Sequence, residues 1–420
     1  MAITGPQQIS TAGNFFNDVL KIDYMGPVRE QLNQSTVLLN RLETRREEFS
    51  GLQARLPLHT GRNFAIGSRA EADPLPGSTT DSNAVYRQQF SAATFTASYQ
   101  YGRISVTGPV IKASRNNKGA FLKAVDAEMK GMVKDLKNSV NRQLFSDGSG
   151  TLTETNTSTA TVNILVDSTK FLKVGMMVEI ILASDHTATP LMAAQAITAI
   201  TAGTSFTVGT LDTAGLADIV VLQGTVDNDL WGLQAIVSAS NPSSGNFGGI
   251  NRSAAGNEFW QASEVSDDTT KFSLLLMQQS IDTADIEGEG DIGLIVTSHA
   301  AKRRYGDDLV NNKRYPAGGE ITLDGGFKAL EFNGIPLVAD KDAHTTGDPD
   351  LTNAMYFIDT NSMFFIEMNG WEWMDKDGAT LARITDRDSY EATLFRYFNL
   401  VSDQPNANVK LIGNEAIAFA

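Results

Sequence analysis

One glycine-rich motif in the sequence has the spacing of a nucleotide-binding loop. Gly288, Gly290 and Gly293 in GEGDIG match the dinucleotide-binding fingerprint. That fingerprint needs a strand before it and a helix after it, because the phosphates lie at the helix N-terminus. Here a helical pattern precedes the motif, and the apolar run Leu294 to Val296 follows it. The motif therefore predicts a helix-to-strand loop, and we expect no cofactor.

The remaining polar residues do not form a recognisable metal or hydrolase motif. The four histidines, His59, His186, His299 and His344, are scattered, with no HExxH or paired i, i+4 arrangement. The sequence has no GxSxG elbow, and the absence of cysteine excludes a thiol nucleophile, a disulfide and a cysteine zinc site. We expect each histidine in a loop or at the surface.

The carboxylates offer only weak signals for chemistry. Asp375, Asp377 and Gly378 in WMDKDG begin like a calcium loop, but the later ligands are missing, and Asp-Gly is typical of a hairpin turn. A glycosidase also needs two carboxylates, but acidic residues are so common here that chance pairs are expected. Such pairs are Asp386 with Asp388 and Glu367 with Glu372. We assign no catalytic or metal-binding residue and expect a non-enzymatic protein.

A carbohydrate-active enzyme remains the alternative from a different functional class. It would use the acidic pairs together with Trp260, Trp371 or Trp373 as sugar platforms. Such a protein would be a monomer with a concave pocket, whereas no motif in the sequence supports it.

Composition and length limit the function further. The chain has 420 residues, which predicts two or three structural units. Its 49 acidic and 34 basic residues give a net charge of -15, which argues against tight nucleic-acid binding through a basic face. Met1 to Ser10 lack a signal-peptide pattern, and no run of eighteen apolar residues is present. We expect a soluble protein with no membrane partner.

The first half of the chain predicts a long hairpin followed by a long helix. One strand runs through Leu52 to Leu58, and the apolar residues Phe95, Ala97, Tyr99 and Tyr101 alternate with polar ones as in a second strand. The apolar phase shifts at Gly102, which predicts a bulge or bend there. Since a two-stranded ribbon is marginally stable alone, we expect a neighbouring subunit to cover it. From Ala120 the apolar residues recur at helical spacing: Leu122, Val125, Met129, Met132, Leu136 and Val140.

The second half predicts an insertion and then an α+β block. A threonine-rich tract at 151 to 161 precedes short β-type runs, so 151 to 229 is interpreted as an inserted small β domain at the surface. A helix through Phe272, Leu275, Leu276, Gln279 and Ile281 follows, with strands predicted at Leu294 to Val296, Ile335 to Val338, Met355 to Ile358 and Met363 to Ile366. A further long β stretch is predicted at Leu381 to Val401, with Asp386 and Asp388 in its turn.

This order of elements resembles the major capsid proteins of tailed bacteriophages, which have the Hong Kong 97-like fold. The local similarity lies in LPLHTGRNFAIGSRAEADPLP, in YGRISVTGPVIKASRNN and in WEWMDKDGATLARITDRDSYEATLFRYFNL. The resemblance implies an α+β capsid fold divided as follows: an N-terminal arm at 1–51, an extended β-hairpin loop at 52–107, a peripheral domain with a spine helix at 108–150, the inserted β domain at 151–229, and an axial domain with the remaining peripheral strands at 230–420.

The resemblance also implies the function and the partners. It implies an icosahedral head shell built from hexamers and pentamers of this chain around double-stranded DNA, assembled in the host cytoplasm. The implied partners are a portal protein, a separate scaffolding protein, decoration proteins and non-specifically packaged DNA. An encapsulin-like nanocompartment shell is the alternative with the same fold.

A loop lysine that cross-links subunits in some members is absent here, because no lysine occurs between Gln53 and Ile111.

The extended loop supplies the candidate contacts between subunits. Aromatic side chains would contribute apolar area, and arginines would contribute exposed ion pairs that are worth about 0 to 1 kcal/mol each. The candidates are Arg55, Arg62, Arg69, Arg87, Phe95, Tyr99, Tyr101 and Arg103.

Overall fold

The structure is a computed structural model that describes most of the chain. The described residues are 36–42, 45–63, 65–71, 73–74, 76, 87–114, 124–156, 161–212, 215–266, 273–311, 321–322, 328–343, 354–375, 381–384 and 386–412. Most of the predicted N-terminal arm lies outside them, as do Leu122, His344, Asp377 and Gly378.

Within these residues both helices and strands are present, as the α+β prediction requires. The helices are α1 (Val37–Leu42), α2 (Gly108–Ser114), α3 (Ala124–Gln143), α4 (Leu233–Ile236), α5 (Leu274–Gly288) and α6 (His299–Asn311). The strands before the insertion are β1 (Arg46–Glu48), β2 (Ala54–Gly61), β3 (Gln89–Phe95) and β4 (Ser98–Thr107). Those of the insertion are β5 (Thr151–Asn156), β6 (Thr161–Leu165), β7 (Met177–Ile181), β8 (Met192–Ala196), β9 (Ala199–Thr201), β10 (Ser205–Asp212) and β11 (Leu216–Leu222). Those after it are β12 (Ser263–Ser266), β13 (Leu294–Thr297), β14 (Ile321–Thr322), β15 (Lys328–Phe332), β16 (Ile335–Ala339), β17 (Met355–Ile358), β18 (Met363–Trp373), β19 (Ala382–Arg383), β20 (Ser389–Ser402) and β21 (Val409–Ile412).

A five-stranded sheet forms the first part of the body. Its order is β1-β18-β20-β19, and β4 pairs antiparallel with the first part of β20, from Thr107 opposite Ser389 to Ser98 opposite Phe398. The hairpin is therefore shorter than the sequence pattern predicts, because its return strand is β3, and β4 belongs to this sheet. Only two residues, Thr96 and Ala97, separate β3 from β4. The alternation of apolar residues therefore did not reveal that the chain stops pairing with β2 and begins to pair with β20 at this point.

The predicted bulge at Gly102 is wrong. Strand β4 alternates strictly between buried and exposed residues through Gly102, and its register with β20 is continuous. Instead, Gly102 permits a close helix-to-sheet approach, since a Cβ there would lie 2.6 Å from both Leu136 Cδ1 and Met132 Sδ of α3. The predicted long helix is confirmed as α3, with Leu136 and Val140 buried in its apolar stripe.

A seven-stranded mixed sheet forms the second part of the body. Its order is β12-β21-β17-β13-β16-β15-β14. Helices α5 and α6 supply Met277 and Tyr305 to the apolar core on this sheet. Helix α6 was not predicted, because the sequence HAAKRRYGDDLVN is mostly polar and its buried residues include the small side chains Ala300 and Ala301.

The loop GEGDIG joins α5 to β13, which confirms the helix-to-strand prediction. Helix α5 ends with Glu289 in the left-handed conformation, at φ 50°. A Cβ on Gly288 would lie 2.6 Å from the Ala407 Cα. The need for glycine at position 288 is therefore explained by close packing against the turn Pro405–Ala407.

The insertion contains two sheets and an apolar core of its own. The sheet orders are β6-β10-β9 and β5-β11-β7-β8. Between them Ile164, Val178, Phe206 and Val220 are fully buried. The short strands predicted within 151 to 229 are thus present, and their core explains why they hold together, while the division of the chain into an inserted domain stays a prediction.

Candidate inter-subunit surface

The hairpin of β2 and β3 is a separate two-stranded sheet. The strands pair from Ala54 opposite Phe95 to Gly61 opposite Gln89, and neither pairs with another described strand. Both outer edges therefore carry backbone N–H and C=O groups that lack strand partners, which is the arrangement that favours pairing with another chain.

Only the base of this hairpin, which extends as far as Leu58 of β2, is packed into the body, where Leu56 and Leu58 lie half-buried against the same core as Phe95. Ala93 and Phe95 are at most 1% exposed, and the Phe95 ring lies 5.1 Å from that of Phe247. Phe95 is therefore a correction to the candidate contacts, because its own subunit already buries it. Further out, Phe90 is 73% exposed, and its only described ring neighbour is His59 at 5.1 Å.

The charged side chains of the hairpin lie at the surface. Arg55, Arg62, Arg69 and Arg87 are all exposed, and the Arg69 Nε donates to the Pro74 carbonyl at 3.3 Å. Guanidinium groups in this setting suit hydrogen bonds to carboxylates or backbone carbonyls of another protein surface.

The outward face of β4 carries the predicted tyrosines. Tyr99 and Tyr101 are 55% and 54% exposed, because Ser98 and Gln100 take the buried face instead. The burial of Gln100 is explained by paired amide hydrogen bonds with Gln143 of α3, at 3.0 and 3.1 Å. The tyrosines thus face away from the helix, as a contact with another molecule requires.

Strand β20 completes this aromatic face with residues that the sequence analysis missed. The Tyr397 ring lies 5.0 Å from that of Tyr99 and 5.8 Å from that of Tyr101, both nearly edge-on, and Phe395 lies 5.1 Å from Tyr397. The alternation of Phe395 and Tyr397 was visible in the sequence, but only the strand pairing showed which side they face. We call these four residues the aromatic face.

Two polar contacts order the aromatic face. The Tyr101 hydroxyl donates to that of Tyr397 at 3.3 Å, and this hydrogen bond together with burial raises the pKa of Tyr101. Arg103, the last candidate contact, is held in an ion pair with Glu391. A groove of about 550 Å³ lies beside Tyr99 and Tyr101, with Leu52 and Trp231 in its lining.

Some of the residues considered for chemistry border this surface, since Glu372 pairs with Phe395 in the register of β18 and β20, and His59 contacts Phe90. Glu367 accepts from the fully buried Arg396 at 2.9 Å, and that guanidinium lies 4.0 Å from the centre of the Phe398 ring. His186 is paired with Asp227 at 2.7 Å. Among the residues that the structure describes, no cluster of three His, Asp or Glu side chains is arranged to hold a metal ion, and none of the helices is long and apolar enough to cross a membrane.

Comparison with solved structures identifies the fold. The chain is similar to the capsid of cyanophage A-1(L), with a TM-score of 0.60 and 13% identity over 94% of this chain and 97% of that one. It also resembles the SrpI encapsulin of Synechococcus elongatus, with a TM-score of 0.51 and 8% identity over 96% and 95% of the two chains. The capsid of an empty GTA particle gives a TM-score of 0.50 and 9% identity over 97% and 99%. Neither a protein-family profile nor a curated protein sequence matches the chain. The chain therefore has the α+β, Hong Kong 97-like fold of phage major capsid proteins.

Proposed function

We propose that this chain is the major capsid protein of a tailed phage, which assembles with copies of itself into an icosahedral shell around double-stranded DNA. The observation that carries the proposal is the hairpin of β2 and β3, whose base alone is packed and whose edges have no strand partner among the described residues. The likeness to the cyanophage A-1(L) capsid over nearly the full length of both chains supports it.

The hairpin and the aromatic face are the proposed contacts between subunits. Burying a large side chain such as Phe90, Tyr99 or Tyr101 contributes about 1.5–3 kcal/mol before the cost of ordering the hairpin. Each contact recurs at every equivalent position of a closed shell, so modest single contacts sum to a stable assembly. Polar contacts at the rim of the proposed interface come from the arginines Arg55, Arg62, Arg69, Arg87 and Arg103.

The proposed assembly has further partners and a defined location. Subunits form hexamers and pentamers in the host cytoplasm and remain in the virion as its shell. A portal protein, a separate scaffolding protein and decoration proteins complete the particle. Contact with the packaged DNA is weak and non-specific, because a net charge of -15 opposes phosphate binding.

Electron microscopy of the purified full chain tests the assembly. The chain is expressed alone and together with its neighbouring genes, and fractions are examined for rings and closed shells. We expect rings or closed shells on the order of tens of nanometres across. A chain that stays monomeric even with its neighbouring gene products would contradict the proposal.

The encapsulin-like shell is the second candidate, because the SrpI encapsulin also covers 96% of this chain. The two functions differ in the contents of the particle. Nuclease-protected DNA of uniform length inside particles from infected cells supports the phage capsid. Particles that hold a single protein cargo and no protected DNA would instead support the encapsulin alternative.

The aromatic face is tested by a double substitution, Tyr99→Ser with Tyr101→Ser. Both side chains are about half exposed, so loss of their contacts with Tyr397 should lower the melting temperature of the subunit by only a few degrees, whereas shell yield should fall about tenfold or more. Val174→Ser in the insertion is the matched control, since Val174 is 63% exposed and lies outside the proposed contacts. Equal yields from the two variants would remove the aromatic face from the interface.

A further inference from the structure

The start of α1 is held by side chains from two distant parts of the chain. The Leu38 N–H donates to Asp340 Oδ2 at 3.2 Å, and the Leu39 N–H donates to Asn141 Oδ1 at 3.3 Å. The first N–H groups of a helix have no partner within the helix, so external acceptors replace water when the helix is buried. Helix α1 is therefore fixed by residues of α3 and of the segment that follows β16.

A buried polar cluster orients these acceptors. Asn141 Nδ2 donates to Asp340 Oδ1 at 3.0 Å and to Asp342 Oδ2 at 2.8 Å, and the Asp342 N–H donates to Asp340 Oδ1 at 2.9 Å. Asn141 is fully buried, and the two aspartates are 2% and 6% exposed. Two neighbouring carboxylates with so little water need a cation nearby.

The cations come from Lys341 and from the insertion. The Lys341 ammonium donates to Asn138 Oδ1 at 2.9 Å, and the Lys170 ammonium of the insertion donates to the Lys341 carbonyl. Lys170 is an exposed residue, and this hydrogen bond places its ammonium beside the backbone that links Asp340 to Asp342. Lys170 is thus the charge that the insertion places against this cluster.

The electrostatic balance of the cluster agrees with this geometry. Burial raises the pKa of Asp342, as does Asp340, whereas the hydrogen bond from Asn141 and the charges of Lys341 and Lys170 oppose the rise. Burial lowers the pKa of Lys170, and Asp342 and Asp340 oppose that change. Removing Lys170 would leave the carboxylates less compensated.

We propose that the insertion, through Lys170, supplies the countercharge that lets Asp340 and Asp342 hold the N-terminal helix α1 in place. The insertion then acts as a positioning element for the N-terminal segment, in addition to occupying the surface. This role does not depend on the proposed shell function, because every contact lies within one chain.

Hydrogen exchange of the full chain, followed by mass spectrometry, tests the proposal. In Lys170→Gln, peptides that cover α1 should exchange about two- to fivefold faster, because the variant loses a positive charge beside the two carboxylates but breaks no direct ion pair with them. Lys170→Arg keeps the charge and should leave their exchange unchanged. Lys173→Gln is the matched control, because Lys173 is an exposed lysine of the same module.

Asp340→Asn calibrates the readout. Both carboxylate oxygens of Asp340 accept hydrogen bonds from N–H groups among the described residues. In the asparagine variant one of these oxygens becomes an NH₂ group, which is itself a donor and cannot accept. Peptides that cover α1 should therefore exchange about tenfold faster or more. Peptides from β10 and β11 should be unchanged in every variant, which shows that the insertion remains folded. Unchanged α1 exchange in Lys170→Gln, or equally fast exchange in Lys170→Arg, would overturn the proposal.

Discussion

The insertion and the hairpin both leave the body of the protein as β structure, yet they are stabilised in different ways. The insertion closes two sheets over a core in which Phe206 and Val220 are fully buried. The hairpin consists of one two-stranded sheet, and Phe90 near its outer end is 73% exposed. The insertion therefore has a buried core of its own, whereas the hairpin leaves apolar area and strand edges exposed among the described residues.

The contrast between the insertion and the hairpin indicates which of the two elements is suited to contact another subunit. A β module with a complete core can be added to a protein without any new partner. A hairpin without a core leaves two strand edges open, and natural proteins either cover such edges or protect them with charge, proline or bulges, since an unprotected edge invites aggregation. The incomplete element, and not the complete one, is the better guide to assembly.

The largest expected effect comes from shortening the hairpin. Replacing residues 62 to 88 with an Asn-Gly turn joins Gly61 to Gln89, which face each other in the register of β2 and β3. We expect shell formation to be lost while the melting temperature of the subunit is retained, because only the base of the hairpin contributes to the core. Electron microscopy and calorimetry measure the two quantities.

The opposite outcome would reverse the comparison. If the shortened subunit melted several degrees lower, the hairpin would be an integral part of the subunit fold. If it still formed shells, the hairpin would not be an essential contact.

The insertion should respond in the opposite way to loss of a core side chain. Phe206→Ala removes a ring that is 0% exposed and should destabilise the insertion by about 3–5 kcal/mol. Limited proteolysis should then cut within 151 to 229 first, while the body stays protected. Val174→Ala, at a 63% exposed position of the same module, should change stability by about 0.5 kcal/mol or less.

Simultaneous loss of protection in the body would contradict this prediction. It would mean that the insertion and the body unfold as one cooperative unit, so the core of the insertion would not be independent.

The smallest expected effect concerns pH at the contact between insertion and body. Because burial raises the pKa of Asp342 above its unfolded value, its contribution to stability is complete below about pH 4 and is lost as pH rises through the folded pKa. Asp342→Asn cannot ionise, so it should be slightly more stable than the parent chain at pH 7, by about 1 kcal/mol or less. That advantage should shrink as the pH falls towards 4.

Denaturant midpoints measured between pH 4 and pH 8 check the sign. A variant that is less stable than the parent at pH 7 would show that the ionised carboxylate contributes more through Lys170 and Lys341 than its burial costs.

Much of the fold could be predicted from local patterns. The apolar stripe of α3 and the long strand β20 were visible because several large side chains repeat at one period, and β13 was visible as a continuous apolar run. The motif GEGDIG was correctly assigned to a loop on the order of its neighbours alone. Helix α6 was missed because alanines supply part of its buried face and charged residues fill much of the rest.

The candidate surface was only partly predictable, because the side of a strand that is exposed depends on the strands and helices that pack against it. Tyr99 and Tyr101 lie on the exposed side of a strand, and their role as contacts stays a prediction, whereas Phe95 has the same alternation and is buried in its own subunit. The difference arises at Thr96 and Ala97, where the chain leaves the hairpin and joins β20. The spacing of apolar residues within a short segment does not show this change of strand partner.

The sequence alone determined the α+β class, the order of elements, the absence of cysteine chemistry and the acidic charge, because these depend on residue types and near neighbours. Tertiary structure decided which side chains are buried together. Arg252, unremarkable in the sequence, is fully buried and donates to the carbonyls of Ala235, Ile236, Ser240 and Trp260, and its burial lowers its pKa to about 10. Gly102 likewise serves a helix that begins more than twenty residues later. Both depend on contacts between distant segments, which only the folded chain brings together.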